Sequence, residues 1–443
     1  MIMSQENLAE ELVHLDQMHV WHPFTQEATS PPPVPIVSAS GVWLQGADGK
    51  RIMDLISSWW LSVHGHAHPH IARAIAEQAQ RLEHVIFAGF THEPAVRLAQ
   101  RLTQLLPQGL NRVFYSDNGS TAVEVALKMA IQYHRNQGQK RLRIAVLEGG
   151  YHGDTVGAMS LGRSSGFFDA FNDYLFQVDT LPFPATWEGD DLVETNEEKA
   201  LAAVDGYLHD FGSELAGIIL EPLVQGAAGM RMCRPLFLQR LTQKIRQAGG
   251  LIILDEVMTG FGRTGTLFAC EKAGVTPDLI CLSKGLTGGF MPMAVTVCRN
   301  AIYEAFLGET FDRALAHGHS YTANPLGCAA ALASLDLFAT GQPLQQARTL
   351  ETIHRQRLQT LSTHPRISKP RCTGIIAALN VTGTGGAGYS AAIGQKLKAF
   401  FLERGLLIRP LGDCIYLLPP YCLTEEELHI AWDGITAALE SLG

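Results

Sequence analysis

The segment ICLSKGLTGG, residues 280–289, places Lys284 directly after a short apolar run and follows it with three glycines. A second segment, LIILDEVMTGFGRTG at residues 251–265, ends its apolar run on Asp255 in the same way. Short apolar runs of this kind are typical of buried strands. Because parallel strands deliver their carboxyl ends to one crevice, we expect Lys284 and Asp255 to face the same ligand.

The region from about residue 70 to residue 334 alternates helices with short apolar strands. Helical periodicity is present in IARAIAEQAQRL and AVRLAQRLTQLL, and further strand-sized runs are NRVFYS, RIAVLE and LAGIILEP. This alternation predicts an α/β fold with a mostly parallel, doubly wound sheet between helices. We therefore assign residues 70–334 to one large domain.

The two ends of the chain have a different pattern. Residues 1–69 contain an amphipathic helix, the proline-rich SPPPVP, and a hairpin with its turn at Asp48 and Gly49. Residues 335–443 contain a long helix, two strands, a second helix, a strand pair around LLIRPLGDCIYLLPP and a closing helix. We predict that both ends together form a smaller α+β domain.

Composition excludes several classes of protein. The chain has 443 residues, 46% of them hydrophobic, and a formal charge of -9, which argues against nucleic-acid binding. Its eight cysteines are scattered without a C-x-x-C pair, as reduced thiols are. No apolar run approaches the roughly 20 residues of a membrane span, and the N-terminus does not resemble a signal peptide. We expect a cytoplasmic protein that acts on small molecules.

Lys284 and Asp255 meet two demands of one cofactor. A lysine with an ordinary pKa of about 10.4 is a poor nucleophile at neutral pH, whereas a desolvated lysine can form a Schiff base with an aldehyde. A nearby carboxylate can keep a pyridine nitrogen protonated, which makes the ring an electron sink. The pair therefore points to pyridoxal 5'-phosphate.

A candidate phosphate site lies in VFYSDNGSTAVEVALKMA, residues 113–130. The segment reads as a strand, then Gly119 and Ser120, then a helix whose first amides and dipole favour an anion. An alternative is that Thr121 and Glu124 form a capping box and nothing more. A third element of the site is Tyr151 in GGYHGDT, which can stack on a pyridine ring or cap the edge of the core.

These motifs together resemble the class III, fold-type I pyridoxal-phosphate aminotransferases, and they occur in that family's order. The resemblance implies a large domain with a seven-stranded sheet. It also implies that Lys284 binds the cofactor aldehyde and moves protons, that Asp255 pairs with the ring nitrogen, and that Tyr151 stacks. The motif DNGSTAVEVALK assigns Gly119 and Ser120 to the cofactor.

The segment HGHSYTANP, residues 317–325, is similar to a family stretch that crosses a dimer interface. The resemblance implies a homodimer with shared active sites. Ser320 would bind the phosphate of the partner's cofactor, and Gly318 would lie beside the substrate.

Three further segments resemble one branch of the family, the diaminopelargonic acid aminotransferases of biotin synthesis: HVWHPFT, SSWWLSVHGHAHP and LIRPLGDCIYLLPPY. That branch transfers an amino group, unusually from S-adenosylmethionine, to 8-amino-7-oxononanoate. Trp59 and Trp60 could form a wall for the aliphatic chain of this acceptor, and Arg409 could bind its carboxylate. Residue type alone favours a core position for the tryptophans and a surface position for Arg409.

Two departures keep alternatives open. Phe24 stands where the family commonly has a tyrosine near the substrate amine, and HGHSY replaces the HGPTF of well-known biotin enzymes. The alternative to the biotin-synthesis branch is therefore an ω-amino acid or amine:pyruvate aminotransferase of the same family. A noncatalytic pyridoxal-phosphate binding protein is a third hypothesis. A nicotinamide site at the G-x-G-x-x-G of residues 383–388 lacks the acidic residue that a ribose requires.

Three other features are expected to be structural. Arg263 in GFGRTG is expected to form an ion pair, and Glu256 to support the site from outside. The histidine run at residues 64–70 could suggest a metal, but Gly65 and Pro69 break its geometry and no carboxylate or cysteine accompanies it. We predict no metal there.

Overall fold

The computed structural model of this chain describes residues 5–163, 168–383 and 392–442. Gly385 and Gly388 of the G-x-G-x-x-G segment lie outside the described residues.

The helices are α1 (Gln5–His19), α2 (Ser57–Trp60), α3 (Pro69–Ala79), α4 (Glu93–Leu105), α5 (Gly119–Asn136), α6 (Val156–Leu161), α7 (Val193–Phe211), α8 (Pro235–Gln247), α9 (Ala269–Ala273), α10 (Asn300–Ala305), α11 (Pro325–Ala339), α12 (Gln342–Leu361), α13 (Ala392–Glu403) and α14 (Glu425–Ser441). The strands are β1 (Ile36–Ser40), β2 (Trp43–Gly46), β3 (Arg51–Asp54), β4 (Leu110–Ser116), β5 (Arg143–Leu147), β6 (Asp179–Leu181), β7 (Leu215–Leu220), β8 (Val224–Gln225), β9 (Arg231–Met232), β10 (Leu251–Asp255), β11 (Leu279–Leu282), β12 (Ala294–Arg299), β13 (Ile367–Thr373), β14 (Ile376–Val381), β15 (Leu406–Leu407) and β16 (Cys414–Leu417). Short 3₁₀ helices lie at Asp169–Tyr174, Lys284–Thr287 and Phe311–Arg313.

The central sheet has seven strands in the order β4-β12-β11-β10-β7-β5-β6 within the described ranges. Strand β12 runs antiparallel to β4 and β11, and the other neighbouring strands pair in parallel. The predicted mostly parallel α/β sheet is therefore confirmed. In the register of β10 and β11, Asp255 is opposite Cys281, so the two strands end at the same edge.

Burial on both faces explains why the central strands are apolar throughout. Ile252 and Leu254 point into one buried cluster, whereas Ile253 points into a second cluster that contains the inner face of α5. Parallel sheets are covered by helices on both sides, so their strands do not alternate with polar residues. Each fully buried aliphatic side chain stabilises the fold by roughly 1.5–3 kcal/mol. The polar residues of the site therefore lie at the carboxyl ends of these strands, as Asp255 does at the end of β10.

Both ends of the chain meet in one small sheet of order β1-β2-β3-β15. The β2–β3 hairpin turns at Asp48 and Gly49 as predicted, and Gly49 has a φ of 84°. The two strands predicted around LLIRPLGDCIYLLPP are present as β15 and β16. Their pairing with each other is wrong, because β15 pairs with β3 while β16 pairs with β14. Pro410 lacks an amide donor and Gly412 has a φ of 64°, and the chain changes sheets in this interval.

The domain limits after residues 69 and 334 stay a prediction; residue 334 lies inside α11, which packs against α3.

All eight cysteines are free thiols and seven of them are buried, as expected of reduced core residues. In the described ranges, no helix combines the length and the apolar character that crossing a membrane requires.

Candidate active site

A cavity of about 620 Å³ lies at the carboxyl ends of β7, β10 and β11. Six of the residues predicted from sequence line it: Trp60, Gly119, Ser120, Tyr151, Asp255 and Lys284. Parallel strands and a helix N-terminus bring these residues together from positions far apart in the chain.

Lys284 follows β11 after a single residue and has a φ of 43°, in the left-handed region. Its amine lies 4.7 Å from the centroid of the Trp60 ring, at the inner wall of the cavity. Burial lowers the pKa of this amine from 10.5 to about 8, and the negative charges of Asp255 and Glu221 oppose the shift. The amine is therefore closer to its neutral form at pH 7 than an exposed lysine.

Asp255 ends β10, and neighbours from two directions fix its carboxylate. The Nδ1 of His152 lies 2.7 Å from one carboxylate oxygen, and the amide of Val257 donates to the other at 3.1 Å. The Nε2 of His152 is buried and has no hydrogen-bond partner in the described part of the chain. The carboxylate is held in one orientation at the wall of the cavity.

Tyr151 is half-buried, and one face of its ring stacks on Phe168 at a centroid distance of 6.0 Å and an angle of 21°. Its hydroxyl donates to Asp154 at 3.0 Å, and its amide donates to the buried carboxyl of Glu221 at 3.1 Å. Burial raises the pKa of the Tyr151 hydroxyl, with Asp154 adding to the effect. The phenol is therefore neutral and acts as a hydrogen-bond donor.

The N-terminus of α5 forms the predicted helix start, but with a different cap. Asn118 accepts from the amide of Thr121 at 3.1 Å, and the Thr121 hydroxyl accepts from the amide of Asn118 at 3.0 Å. The alternative capping box of Thr121 and Glu124 is wrong. The Glu124 carboxylate is used elsewhere, because it accepts from the Thr155 hydroxyl and from the amide of Gly157.

The same region has the shape of an anion cradle. A side chain at Gly119 would approach Val257 to 2.7 Å, and a side chain at Gly153 would overlap the Ser120 hydroxyl. That hydroxyl accepts from the amide of Asp154 at 3.2 Å. The first turn of a helix leaves amide donors without intrahelical partners, which suits a phosphate. The residues present therefore fit the phosphate of the predicted cofactor.

Trp59 and Trp60 are adjacent in sequence but lie in different surroundings. Trp60 is buried, lines the cavity, and donates to the hydroxyl of Tyr416 at 2.9 Å. Trp59 is 39% exposed and makes an edge contact with Phe24 at 5.9 Å. The guanidinium of Arg409 lies 4.5 Å from the Trp59 ring. Phe24, Trp59 and Arg409 form an outer cluster, and none of the three is among the described residues that line the cavity.

Asp54 holds the turn that separates the two tryptophans, and sequence reasoning missed it. Ser57, Ser58 and Trp60 all have positive φ values, which are rare outside glycine. The Asp54 carboxylate accepts from the amide of Ser58 at 2.5 Å and contacts the imidazole of His66 at 2.7 Å. These bonds offset the backbone strain that places Trp60 at the cavity.

Gly318 and Ser320 are exposed and are absent from the described residues that line this cavity. They belong to a turn before α11, in which the amide of His319 donates to the Thr322 hydroxyl at 3.0 Å. The turn therefore presents Ser320 outward from its own chain.

The predicted ion pair of Arg263 is wrong. Within the described ranges its buried guanidinium bonds to the Ser57 hydroxyl at 3.1 Å and to the Pro419 carbonyl at 3.2 Å, and to no carboxylate. These neutral acceptors join the GFGRTG turn to the two ends of the chain. Glu256 accepts from the first two amides of α9 and faces away from the cavity.

The four histidines of residues 64–70 have separate partners: His64 with Ser334, His66 with Asp54, His68 with the amide of His70, and His70 with Asp336. Within the described ranges, no group of three or more possible metal ligands occurs.

Two residues at the centre of the site were not found from the sequence. Glu221 directly follows β7 in LAGIILEP, and the strand-end criterion that selected Asp255 would have selected it too. His152 directly follows Tyr151, but its contact with Asp255 spans 103 positions and no local pattern indicates it.

A lysine and an aspartate presented by neighbouring parallel strands, beside a helix N-terminus, define an α/β enzyme whose site suits an anionic ligand that reacts with an amine. Residues 24–439 match the family model described as Aminotransferase class-III, and the chain belongs to this family. The predicted family is therefore confirmed.

Individual relatives agree with this assignment. The chain is 54% identical to the adenosylmethionine-8-amino-7-oxononanoate aminotransferase of Synechococcus elongatus, over 96% of this chain and 99% of that protein. It is similar to the crystal structure of the Methanocaldococcus jannaschii enzyme of the same name, with a TM-score of 0.90, 33% identity and coverage of 98% and 99%. It is also similar to an amine transaminase from an uncultivated Pseudomonas species, described in a PLP-bound form, with a TM-score of 0.88, 30% identity and coverage of 96% and 98%.

Proposed function

We propose that this chain transfers an amino group from S-adenosylmethionine to 8-amino-7-oxononanoate, giving 7,8-diaminononanoate, with pyridoxal 5'-phosphate as its cofactor. The observation that carries the proposal is that Lys284 and Asp255 line one cavity beside the N-terminus of α5. The choice of substrates is supported by the name of the Synechococcus elongatus relative, which is 54% identical over nearly the full length of both chains.

The cavity offers a partner for each part of the cofactor. The start of α5, with Gly119 and Ser120, suits the phosphate, and the Tyr151 ring offers a face for the pyridine. Asp255, held by His152, offers a fixed carboxylate for the ring nitrogen. When bound, pyridoxal phosphate supplies an electron sink for negative charge on the carbon next to the transferred nitrogen.

Lys284 is the base and acid of this proposal. Its pKa of about 8 leaves part of the amine neutral near pH 7, so Nζ can accept a proton from the substrate carbon and return it. The Trp60 ring and the end of β11 limit the positions of Nζ. The negative charges of Asp255 and Glu221 stabilise the protonated amine of Lys284, which limits how far burial lowers its pKa.

The outer cluster is proposed to select the acceptor. The guanidinium of Arg409 lies over the Trp59 ring, and a guanidinium has a planar fork of donors that matches the two oxygens of a carboxylate. The aliphatic chain of the acceptor would then run from Arg409 past Trp60 to the amine of Lys284. Phe24 adds apolar surface to the cluster, where a tyrosine would add a donor.

The proposal includes a homodimer with shared active sites. Ser320 and Gly318 lie exposed on a turn outside their own cavity, which is the arrangement that residues serving a second subunit require. In the dimer, Ser320 of each subunit would bind the cofactor phosphate of the other. Sedimentation equilibrium should give twice the mass of the chain, 48.2 kDa; a monomer at all concentrations would contradict this part.

The function is tested by incubating purified protein with pyridoxal phosphate, 8-amino-7-oxononanoate and S-adenosylmethionine, and measuring 7,8-diaminononanoate by mass spectrometry. Two parallel reactions test the ω-aminotransferase alternative: one uses alanine as the amino donor in place of S-adenosylmethionine, and the other uses an ω-amino acid as the donor and pyruvate as the acceptor. Amino transfer only in these two reactions favours that alternative. Binding of pyridoxal phosphate without any amino transfer favours the noncatalytic hypothesis.

A further inference from the structure

A continuous line of side-chain contacts leads from the outer surface of α5 to the wall of the cavity. Lys128 Nζ lies 3.0 Å from His317 Nδ1, and His317 Nε2 lies 2.9 Å from His319 Nε2. His319 Nδ1 lies 2.7 Å from a carboxylate oxygen of Asp117, which lines the cavity. We call His317 and His319 the imidazole bridge.

The end groups fix the hydrogens along this bridge. The Lys128 ammonium can only donate and the Asp117 carboxylate can only accept. His317 therefore accepts at Nδ1 and donates from Nε2, while His319 accepts at Nε2 and donates from Nδ1 to Asp117. Each imidazole carries a single N–H, so both rings are neutral when the three contacts are formed.

The bridge connects two parts of the proposed cofactor site. Asp117 directly precedes Asn118, the N-cap of α5. On the other side, His319 begins the turn that presents Ser320 and is closed by the Thr322 hydroxyl, which donates to the His319 carbonyl at 2.9 Å. The distance between the start of α5 and Ser320 is thus set through His319 and Asp117.

We propose that His319, supported by His317, is a positioning residue for the cofactor phosphate. Through its contact with Asp117, His319 fixes the position of the turn that carries Ser320 relative to the start of α5. The inference rests on the proposed function. In a dimer with shared sites, Asp117 borders the cavity of its own chain while Ser320 faces the partner's cavity, so the bridge joins the two phosphate sites.

The charges around the bridge make it sensitive to pH. The groups that face His317 are Lys128 and Glu124 of α5 and the neighbouring His319, and its ring also contacts Phe114 of β4. Burial lowers the pKa of His317, Lys128 and His319 lower it further, and Glu124 opposes them.

A second proton on the bridge would set two N–H groups against each other across the 2.9 Å contact and break it. Because the pKa of the folded His317 lies below its unfolded value of about 6.5, the bridge stabilises the site above that pH and is lost as the pH falls.

The test measures the dissociation constant of pyridoxal phosphate from the apoprotein between pH 5.5 and 8 for the wild type and three variants. His319→Ala should weaken binding about tenfold at pH 8, as expected for loss of one charged hydrogen bond. His317→Gln should keep nearly wild-type affinity, since its amide can donate to His319, but should lose much of the pH dependence. His209→Ala, on the exposed face of α7, should change neither.

The inference is overturned if His319→Ala binds the cofactor as tightly as the wild type with the same pH profile. If His319→Ala does not fold by circular dichroism, His317→Ala replaces it and should bind more weakly than His317→Gln; equal affinities overturn the inference. If the wild type itself binds no pyridoxal phosphate, the proposed function fails instead.

Discussion

The Nδ1 of His152 lies 2.7 Å from a carboxylate oxygen of Asp255, and both side chains are almost completely buried. This contact fixes the orientation of the carboxylate that faces the cavity. Removing the imidazole leaves a buried charge with one hydrogen bond fewer, which is costly because water cannot replace the partner.

We predict that His152→Ala lowers the free energy of unfolding of the apoprotein by roughly 3 kcal/mol, in the range observed when one partner of a buried pair is removed. His152→Asn should lose less, because its amide can still donate near the position of Nδ1. Urea unfolding at pH 7.5 gives the comparison. Equal stability of His152→Ala and the wild type would show that the contact is not formed in solution.

Gly153 has a φ of 120°, and a Cβ at this position would overlap the Ser120 hydroxyl. Gly153→Ala should therefore displace Ser120 and weaken pyridoxal phosphate binding by about tenfold or more, beyond the cost of the unusual φ alone. Gly109→Ala is the matched control, since Gly109 has a φ of 100° and open space around it. Titration of both apoproteins with the cofactor separates the two effects; equal affinities would contradict the cradle.

Lys284→Ala should reduce amino transfer by at least about a thousandfold, because a positioned acid and base contributes roughly 10²–10⁴, and the variant also lacks the amine that is proposed to bind the cofactor aldehyde. The variant should still bind pyridoxal phosphate noncovalently, which its visible spectrum would report. Lys50→Ala, whose side chain is 82% exposed, is the control. Activity of Lys284→Ala near that of the control would refute the assignment of the base.

Arg409→Leu should raise the KM for 8-amino-7-oxononanoate about tenfold or more, as expected when a charged hydrogen bond to a carboxylate is lost. The methyl ester of the same acceptor lacks the charge, so its KM should change much less. Steady-state kinetics with both acceptors give the measurement. The same increase for acid and ester would place the carboxylate elsewhere.

The strand ends explain how much of the site could be predicted from sequence. Lys284 and Asp255 each end an apolar run, and a parallel sheet brings such ends together, so their meeting follows from pattern alone. Strand β12 has the same apolar composition but runs in the opposite direction. The connection between β11 and β12 is too short for the crossover helix that a parallel neighbour requires. The direction of β12 therefore follows from the length of this connection and not from the composition of the strand.

The position of the tryptophans could not be predicted, because it depends on backbone strain. Ser58 and Trp60 adopt positive φ values that propensity disfavours, and buried bonds to Asp54 maintain the turn. Contacts between residues distant in sequence, such as Arg263 with the Pro419 carbonyl, are also invisible to local patterns. The sequence therefore indicated that both tryptophans lie near the site. It did not indicate that Trp60 lines the cavity while Trp59 lies in the outer cluster.

The pH dependence of apoprotein stability tests the environment of Glu221. Burial raises the pKa of its carboxyl from 4.5 to about 7, with Asp255 adding to the shift and His152 opposing it. The folded protein therefore holds a proton that the unfolded chain releases, so this group stabilises the fold below about pH 4.5 and the stabilisation is lost as the pH rises through 7. Glu221→Gln keeps the shape of the protonated form and cannot lose the proton.

The stability of Glu221→Gln relative to the wild type should consequently increase by about 2–3 kcal/mol between pH 4.5 and pH 7.5, an amount that follows from the size of the shift. Urea unfolding of both apoproteins at closely spaced pH values gives the curve. Glu93→Gln, on the exposed first turn of α4, should remain parallel to the wild type over the same range. Parallel curves for Glu221→Gln would mean that the carboxyl is ionised in the folded protein at pH 6, and that its contact with the Tyr151 amide is made by a charged group.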